Sequence, residues 1–217
     1  MVFLMETRAG GSELRRRQEA INDREFMVRK KYPVIGGAIL AVTPAPKKAR
    51  HLARRAADAK LVGAALAELT ELGMIVLHDR AVPGTDGSIE QVVIGNNGVT
   101  IIRSTRRSGR LRVSKKQLTI GGNKATIDIE GLMSRVNTAR HLLGGEAEVQ
   151  GALCLMSRRT KRTKKFKSTI VGSVAAIVAH LAELHQNSES KLDIVKIATE
   201  MDGVFVPSDM LSHRDAA

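Results

Sequence analysis

Residues 73–110, GMIVLHDRAVPGTDGSIEQVVIGNNGVTIIRSTRRSGR, carry the fold in their spacing. Met74-Ile75-Val76-Leu77-His78 reads as a short buried strand, and Pro83-Gly84-Thr85-Asp86-Gly87 is a turn cluster. Two β-branched runs follow, Ile89 to Ile94 and Val99 to Ile102, separated only by Gly95-Asn96-Asn97-Gly98. Branched side chains suit a pleated surface and Asn-Gly accepts the positive φ of a tight turn, so the pair predicts a hairpin. Leu111 to Ile120 predicts one more strand, turned by Gly121-Gly122-Asn123.

Outward from these strands the hydrophobic period lengthens. Residues 47–71 set Leu52, Val62, Leu66 and Leu69 among alanines at helical spacing, and 126–143 do the same with Ile127, Ile129, Leu132, Val136, Ala139 and Leu143. The apolar run 149–156 predicts a strand, Ser168 the cap of a helix to about His185, and Lys191 to Met201 a shorter helix. Residues 12–31 are helix-compatible and densely charged, and Tyr32-Pro33 ends them because the residue before proline avoids the helical region. The order of elements predicts an α/β fold, a mixed-sheet sandwich with helices on both faces and a basic N-terminal helix. Residues 1–46 are expected to hold that basic helix and an apolar linker. Residues 47–186 then form the α/β domain, and 187–217 a C-terminal helix with a weakly ordered tail after Gly203.

Charge narrows the choice of partner. Across 217 residues, 35 Lys+Arg face 22 Asp+Glu, a net +13, which points to a polyanion: nucleic acid or an anionic membrane surface. Only Phe3, Phe26, Tyr32, Phe166 and Phe205 are aromatic, so a platform for stacking successive bases is excluded. Val34 to Thr43 is half the length of a membrane span and Ile170 to Leu184 is interrupted by His180 and Glu183, so no transmembrane helix is expected. Cys154 sits in an apolar run and reads as a small buried hydrophobe, in keeping with a reducing, cytoplasmic setting. The six histidines show no metal-pair spacing.

The motif order within residues 73–110 resembles the NERD (nuclease-related domain) family. That pattern runs through VLHD, a proline-glycine turn, IDH-hydrophobic-VG, a GV turn and a strand ending D/E-x-K…G. KKYPVIGGAILAVTPAP before it, the glycine turn at 121–122 and VQGALC after it are similar to flanking parts of bacterial members, so the resemblance covers roughly residues 30–185. It implies a restriction-endonuclease-like fold of the PD-(D/E)xK superfamily, in which strand carboxylates hold Mg²⁺ or Mn²⁺ and a lysine favours the developing phosphate charge. Here the Asp-His pair falls on Glu90-Gln91, the second acid on Arg103, the lysine on Thr105, and the helix acid at about Ala59 or Lys60. Glu90 is the one retained candidate acid. At 4 Å and an effective dielectric near 20 a unit charge pair is worth roughly 4 kcal/mol, so an arginine facing a divalent ion reverses the local field. Asp79 and Asp86 read as turn acids.

The resemblance therefore implies a degenerate nuclease domain that needs no metal and binds nucleic-acid backbone without cutting it. The residues expected at phosphate are Arg103, Arg106, Arg107, Arg110, Arg112, Lys115 and Lys116, a block with no acid, and Arg158, Arg159, Lys161, Arg162, Lys164 and Lys165 of a second block. Two alternatives stand beside this reading. One is a residual divalent-metal-dependent nuclease using Glu90 with nearby acids; the other is a membrane-peripheral protein docking through 158–167 and the apolar run 170–184.

Overall fold

The structure is a computed structural model that describes residues 8–210 except 86, 115, 157–159, 161, 190, 191 and 209. Three helices come first, α1 (Gly11–Lys31), α2 (Gly36–Val42) and α3 (Lys47–Thr70). Strands β1 (Ile75–Ala81), β2 (Ser88–Gly95) and β3 (Gly98–Thr105) follow, then the short strands β4 (Leu111–Val113), β5 (Leu118–Ile120) and β6 (Asn123–Lys124). Helix α4 (Thr126–Leu142) leads to β7 (Val149–Leu155), β8 (Lys164–Phe166) and β9 (Thr169–Gly172), and helices α5 (Val174–Gln186) and α6 (Ile194–Val204) come last.

Six strands make one mixed sheet in the order β1-β2-β3-β7-β9-β8, and β4-β5-β6 form a small antiparallel sheet. The β1-β2-β3 meander is antiparallel, β3-β7-β9 run parallel, and β8 returns antiparallel to β9. Strand alternation divides the core in two. Ile101, Leu153 and Val171 pack against Leu132 and Val136 of α4, Leu118 and Ile120 of the small sheet and Met201 of α6. Their neighbours Ile102, Ala152, Cys154 and Ile170 face the other way, onto Val62, Leu66 and Leu69 of α3 and Ile177 and Leu181 of α5. The sequence-based expectation of an α/β sandwich with a mixed sheet and helices on both faces is met.

Several segments depart from their sequence reading. The linker 34–43 contains a helix, α2, which turns back on α1 at Gly36, where a Cβ would stand 3.2 Å from the Arg29 backbone. The predicted strand 111–120 is two strands, because Ser114 and Gln117 close a turn through Ser114 N to Gln117 O (2.9 Å) and Gln117 N to Ser114 Oγ (3.1 Å). Ser168 caps no helix: Lys167, at φ 54°, turns β8 into β9, and the cap of α5 comes five residues later, where Ser173 Oγ accepts from Ala176 N. The apolar face of α5 is buried at Ile177 and Leu181, which withdraws 170–184 from any lipid surface.

The last departure concerns the tail. Residues 211–217 lie outside the described residues, and residues 205–208 are bound to β1: Phe205 is fully buried, Ala81 N donates to Val206 O (2.9 Å) and Ser208 N to Asp79 O (3.0 Å). A buried ion pair, Arg80 to Asp202 (2.6 Å), fixes α6 over the same strand. No helix among the described residues is long and apolar enough to cross a membrane. Because Phe205 fills the core from this tail, Phe205→Ala is expected to cost about 3–5 kcal/mol of unfolding free energy. Urea denaturation checks this; a loss under about 1 kcal/mol would show that the tail is a detachable appendage.

Candidate functional site

The pairing of β2 with β3 ends at Gln91↔Ile102. Beyond that pair the side chain of Glu90 meets the backbone of β3: Glu90 Oε2 accepts from Ser104 N (2.8 Å) and Ser104 Oγ (2.7 Å). Its other oxygen accepts from Arg55 Nη2 of α3 at 3.0 Å. Arg55 is shared, its Nη2 lying 3.2 Å from the buried Glu13 of α1. The neighbouring Gln91 ties the strand to the same helix, donating to Ala59 O (2.9 Å) and meeting the His78 ring.

A second carboxylate stands beside this network. Asp79, read from sequence as a turn acid, lies within β1 at φ 47°, a left-handed conformation that Asp and Asn tolerate better than most residues. Its carboxylate takes the start of α1: Ser12 N and Ser12 Oγ both donate to it at 2.5 Å. Ser12 Oγ also lies 3.0 Å from Glu13 and 3.3 Å from Ser88 Oγ. Gly11 permits this approach, since a Cβ there would meet Asp79 Oδ2 at 2.9 Å. The sequence reading of residues 12–31 as a densely charged helix gives no sign of this contact; the small residues Gly10-Gly11-Ser12 at its start are what allow it.

Arg103, set by the resemblance at the family's second acid, points to α4 and rests against Gly131, where a Cβ would be 2.6 Å from Arg103 Nη1. Arg135 of α4 donates to Ser88 O (2.7 Å) and Gly131 O (2.5 Å). Burial first, and then the repulsion of Arg103, hold the Arg135 guanidinium below its ordinary pKa, while Glu90 acts the other way and Arg55 and Arg16 add to the lowering. Glu90 thus sits in a field dominated by arginines. Thr105, set at the lysine, has its Oγ1 3.4 Å from Arg107 N. The residues present do not fit a divalent ion: both oxygens of Glu90 already have donors, the facing charges are guanidinium groups, and among the described residues no three His, Cys, Asp or Glu side chains are placed to hold one. Cys154 is buried on the α3 side, where burial and, secondarily, Glu90 push its thiol pKa up, so it is a packed hydrophobe and a poor nucleophile.

Apart from Arg103, which lies partly buried against α4, the predicted phosphate-binding cations sort into three groups. Arg106 and Arg107 are paired within the chain, which corrects the expectation of a block unopposed by acid. Arg106 makes a forked contact to Asp58 of α3 (2.7 and 2.9 Å), which raises its own pKa, and Arg107 is bonded to Asp128 of α4. Arg110, Arg112 and Lys116, with Arg162, Lys164 and Lys165, are exposed. Lys115, Arg158, Arg159 and Lys161 lie outside the described residues, as does Asp86.

The two basic blocks, some fifty residues apart in the chain, meet in space. Strand β4 packs beside β8, and a cleft of about 130 Å³ is lined by Lys116, Leu118, Ile129 and Glu130 on one side and Phe166 and Lys167 on the other. Phe166 is buried beneath, and the charged groups of the cleft are Lys116, Lys167 and Glu130. No protein-family model matches this chain, and neither a curated protein nor a solved structure is significantly similar to it.

Burial raises the pKa of Asp79 above its ordinary 3.8, opposed by the bonds from Ser12 and reinforced by Glu13. A raised folded-state pKa means that the native protein holds a proton the unfolded chain has lost, so this group's contribution to stability falls as pH rises above the ordinary carboxylate range. Asp79→Asn, which keeps an acceptor and tolerates the same φ, is expected to flatten the pH dependence of stability from about pH 4 upward. Urea midpoints across that range check it, and an unchanged profile would remove Asp79 as the cause.

Proposed function

We propose that this chain is a nuclease-related domain of restriction-endonuclease-like type whose carboxylate site has become structural, and that it binds nucleic-acid backbone without cleaving it. The observation that carries the reading is the meeting of the two basic blocks at β4 and β8. Strands β4 and β8 are in contact and Lys116 and Lys167 line one cleft, while Arg110, Arg112, Lys164 and Lys165, in or next to the same strands, are exposed. A duplex presents phosphates at regular spacing, and several adjacent cations from two segments suit that array better than any single base edge.

The carboxylate site supports the non-catalytic half of the proposal. Attack on phosphate in this class of fold needs an ion held by acids, with a water on it. Here Glu90 is committed to the Ser104 amide and to Arg55. Arg103 and Arg135 fill the α4 side with positive charge. Arg106 and Arg107 serve the fold: their pairs with Asp58 and Asp128 hold the chain after β3 onto α3 and α4.

Binding to duplex DNA is expected to weaken with salt at a slope of about −0.9 in log K against log salt per phosphate neutralised. Replacing Arg110, Arg112 and Lys116 by Ala is expected to flatten that slope by roughly two to three, and the same change at Lys164, Lys165 and Lys167 by a similar amount. Arg106→Ala, by contrast, is expected to lower stability and leave the slope alone. Unchanged slopes in both triple variants would dismiss this surface as the binding face.

No cleavage of linear, supercoiled or single-stranded DNA is expected with Mg²⁺ or Mn²⁺. Cleavage that disappears in Glu90→Ala would overturn the proposal in favour of a working nuclease.

A further inference from the structure

The N-terminal helices expose apolar surface that the rest of the described chain leaves uncovered. Helix α1 buries only Ser12 and Glu13 fully, at its first turn; it packs along α3 and α2, and Arg24 donates to Pro44 O (2.6 Å), which leaves its outer face and its far end toward solvent. At that end Tyr32-Pro33-Val34-Ile35 turn the chain into α2, of which only Gly36 is buried. Val34 is 95% exposed, Val42 82%, Phe26 66% and Met27 64%, a run of exposed large apolar side chains carried by α1, α2 and the turn between them. Cations surround them. Between Arg24 and Lys48 there are six Lys and Arg and a single acid, Glu25, which is bound to Arg29. Lys30 Nζ stands 6.0 Å from the Phe26 ring centre and Lys31 Nζ 5.4 Å from that of Tyr32, and Met27, Val28 and Tyr32 form an open groove edged by Arg24, Lys30 and Lys31.

We propose that the α1–α2 hairpin is an interfacial anchor that seats its apolar tip in an anionic lipid bilayer. The composition decides the occupant. A bilayer interface takes apolar side chains into its acyl boundary while lysine and arginine remain at the anionic headgroups, and a tyrosine belongs at that depth. A second copy of the chain would bring the same six cations against each other, with no acid in that segment but Glu25 to receive them. The tip is also too short to span: α2 has seven residues, and the apolar run containing it is half of a membrane-crossing length. The anchor lies in the interface and uses residues distinct from those at β4 and β8, so it stands independently of the nucleic-acid reading.

The chain has no tryptophan, which makes Val34→Trp a sole reporter. With the whole chain, the indole emission of this variant is expected to shift to the blue on vesicles of phosphatidylcholine with roughly one-third phosphatidylglycerol, and to stay unshifted on phosphatidylcholine alone. In flotation with the same vesicles, the triple variant Phe26→Ser, Val34→Ser, Ile35→Ser is expected to lose roughly tenfold or more in partitioning. All three positions are exposed, so circular dichroism and the urea midpoint of the triple variant should match the parent and show that the body is folded. An unshifted emission from the Val34→Trp variant on anionic vesicles overturns the proposal, as does equal partitioning of the triple variant. Sedimentation that reveals a dimer abolished by the same triple variant would also overturn it, by assigning the patch to a second copy.

Discussion

Three carboxylates, Glu13, Asp79 and Glu90, are buried at one end of the sheet, and the arrangement of everything near them follows from the need to satisfy them. A buried ionised acid without partners costs several kcal/mol, so each must meet a donor. The chain provides one guanidinium, Arg55, between Glu13 and Glu90, and one backbone turn, at Ser12, for Asp79. Those two devices fix the positions of α3 and α1 against β1 and β2. They also account for the left-handed backbone at Asp79, whose carbonyl takes the amide of Ser208 and so draws in the C-terminal segment.

The same constraint separates this site from a metal site that a similar set of strands would build. An ion needs carboxylate oxygens with free lone pairs directed to one point. Here Glu90 bridges the place where β2 and β3 part, doing for the Ser104 amide what a neighbouring strand would otherwise do. Arginines at 55, 103 and 135 occupy the flanks, and Gly131 lets one of them lie against α4. Arg103 therefore adds positive charge beside Arg135, and the pairing of the buried acids rests on Arg55.

Cations on this protein are of two kinds that sequence does not distinguish. Arg106 and Arg107 stand in the same run as Arg110 and Arg112, yet the first pair is bound to Asp58 and Asp128 and the second is exposed. Bonds of the Arg106 type contribute to the fold as forked, charge-assisted contacts, although surface exposure limits their worth. The second pair, like the lysines of β8, is exposed. The basic residues of α1 form another such group, set around apolar side chains rather than around a cleft.

The sequence by itself determined the strands of the β1–β3 meander, the β2–β3 hairpin and helices α3 and α4, because β-branched runs, turn residues and helical spacing are local properties. Tertiary structure alone decided which acids meet which arginines, since Glu13, Asp79 and Glu90 come from three elements and Arg55 from a fourth. It alone decided that Ser168 turns two strands instead of capping a helix, because the pairing of β9 with β7 outweighs a weak local cap signal. Burial of Phe205 after α6, and exposure of Val34 and Val42 beyond α1, are outcomes of the same kind. An apolar side chain records that it favours leaving water, and only the packing of distant segments determines whether a partner is there to receive it.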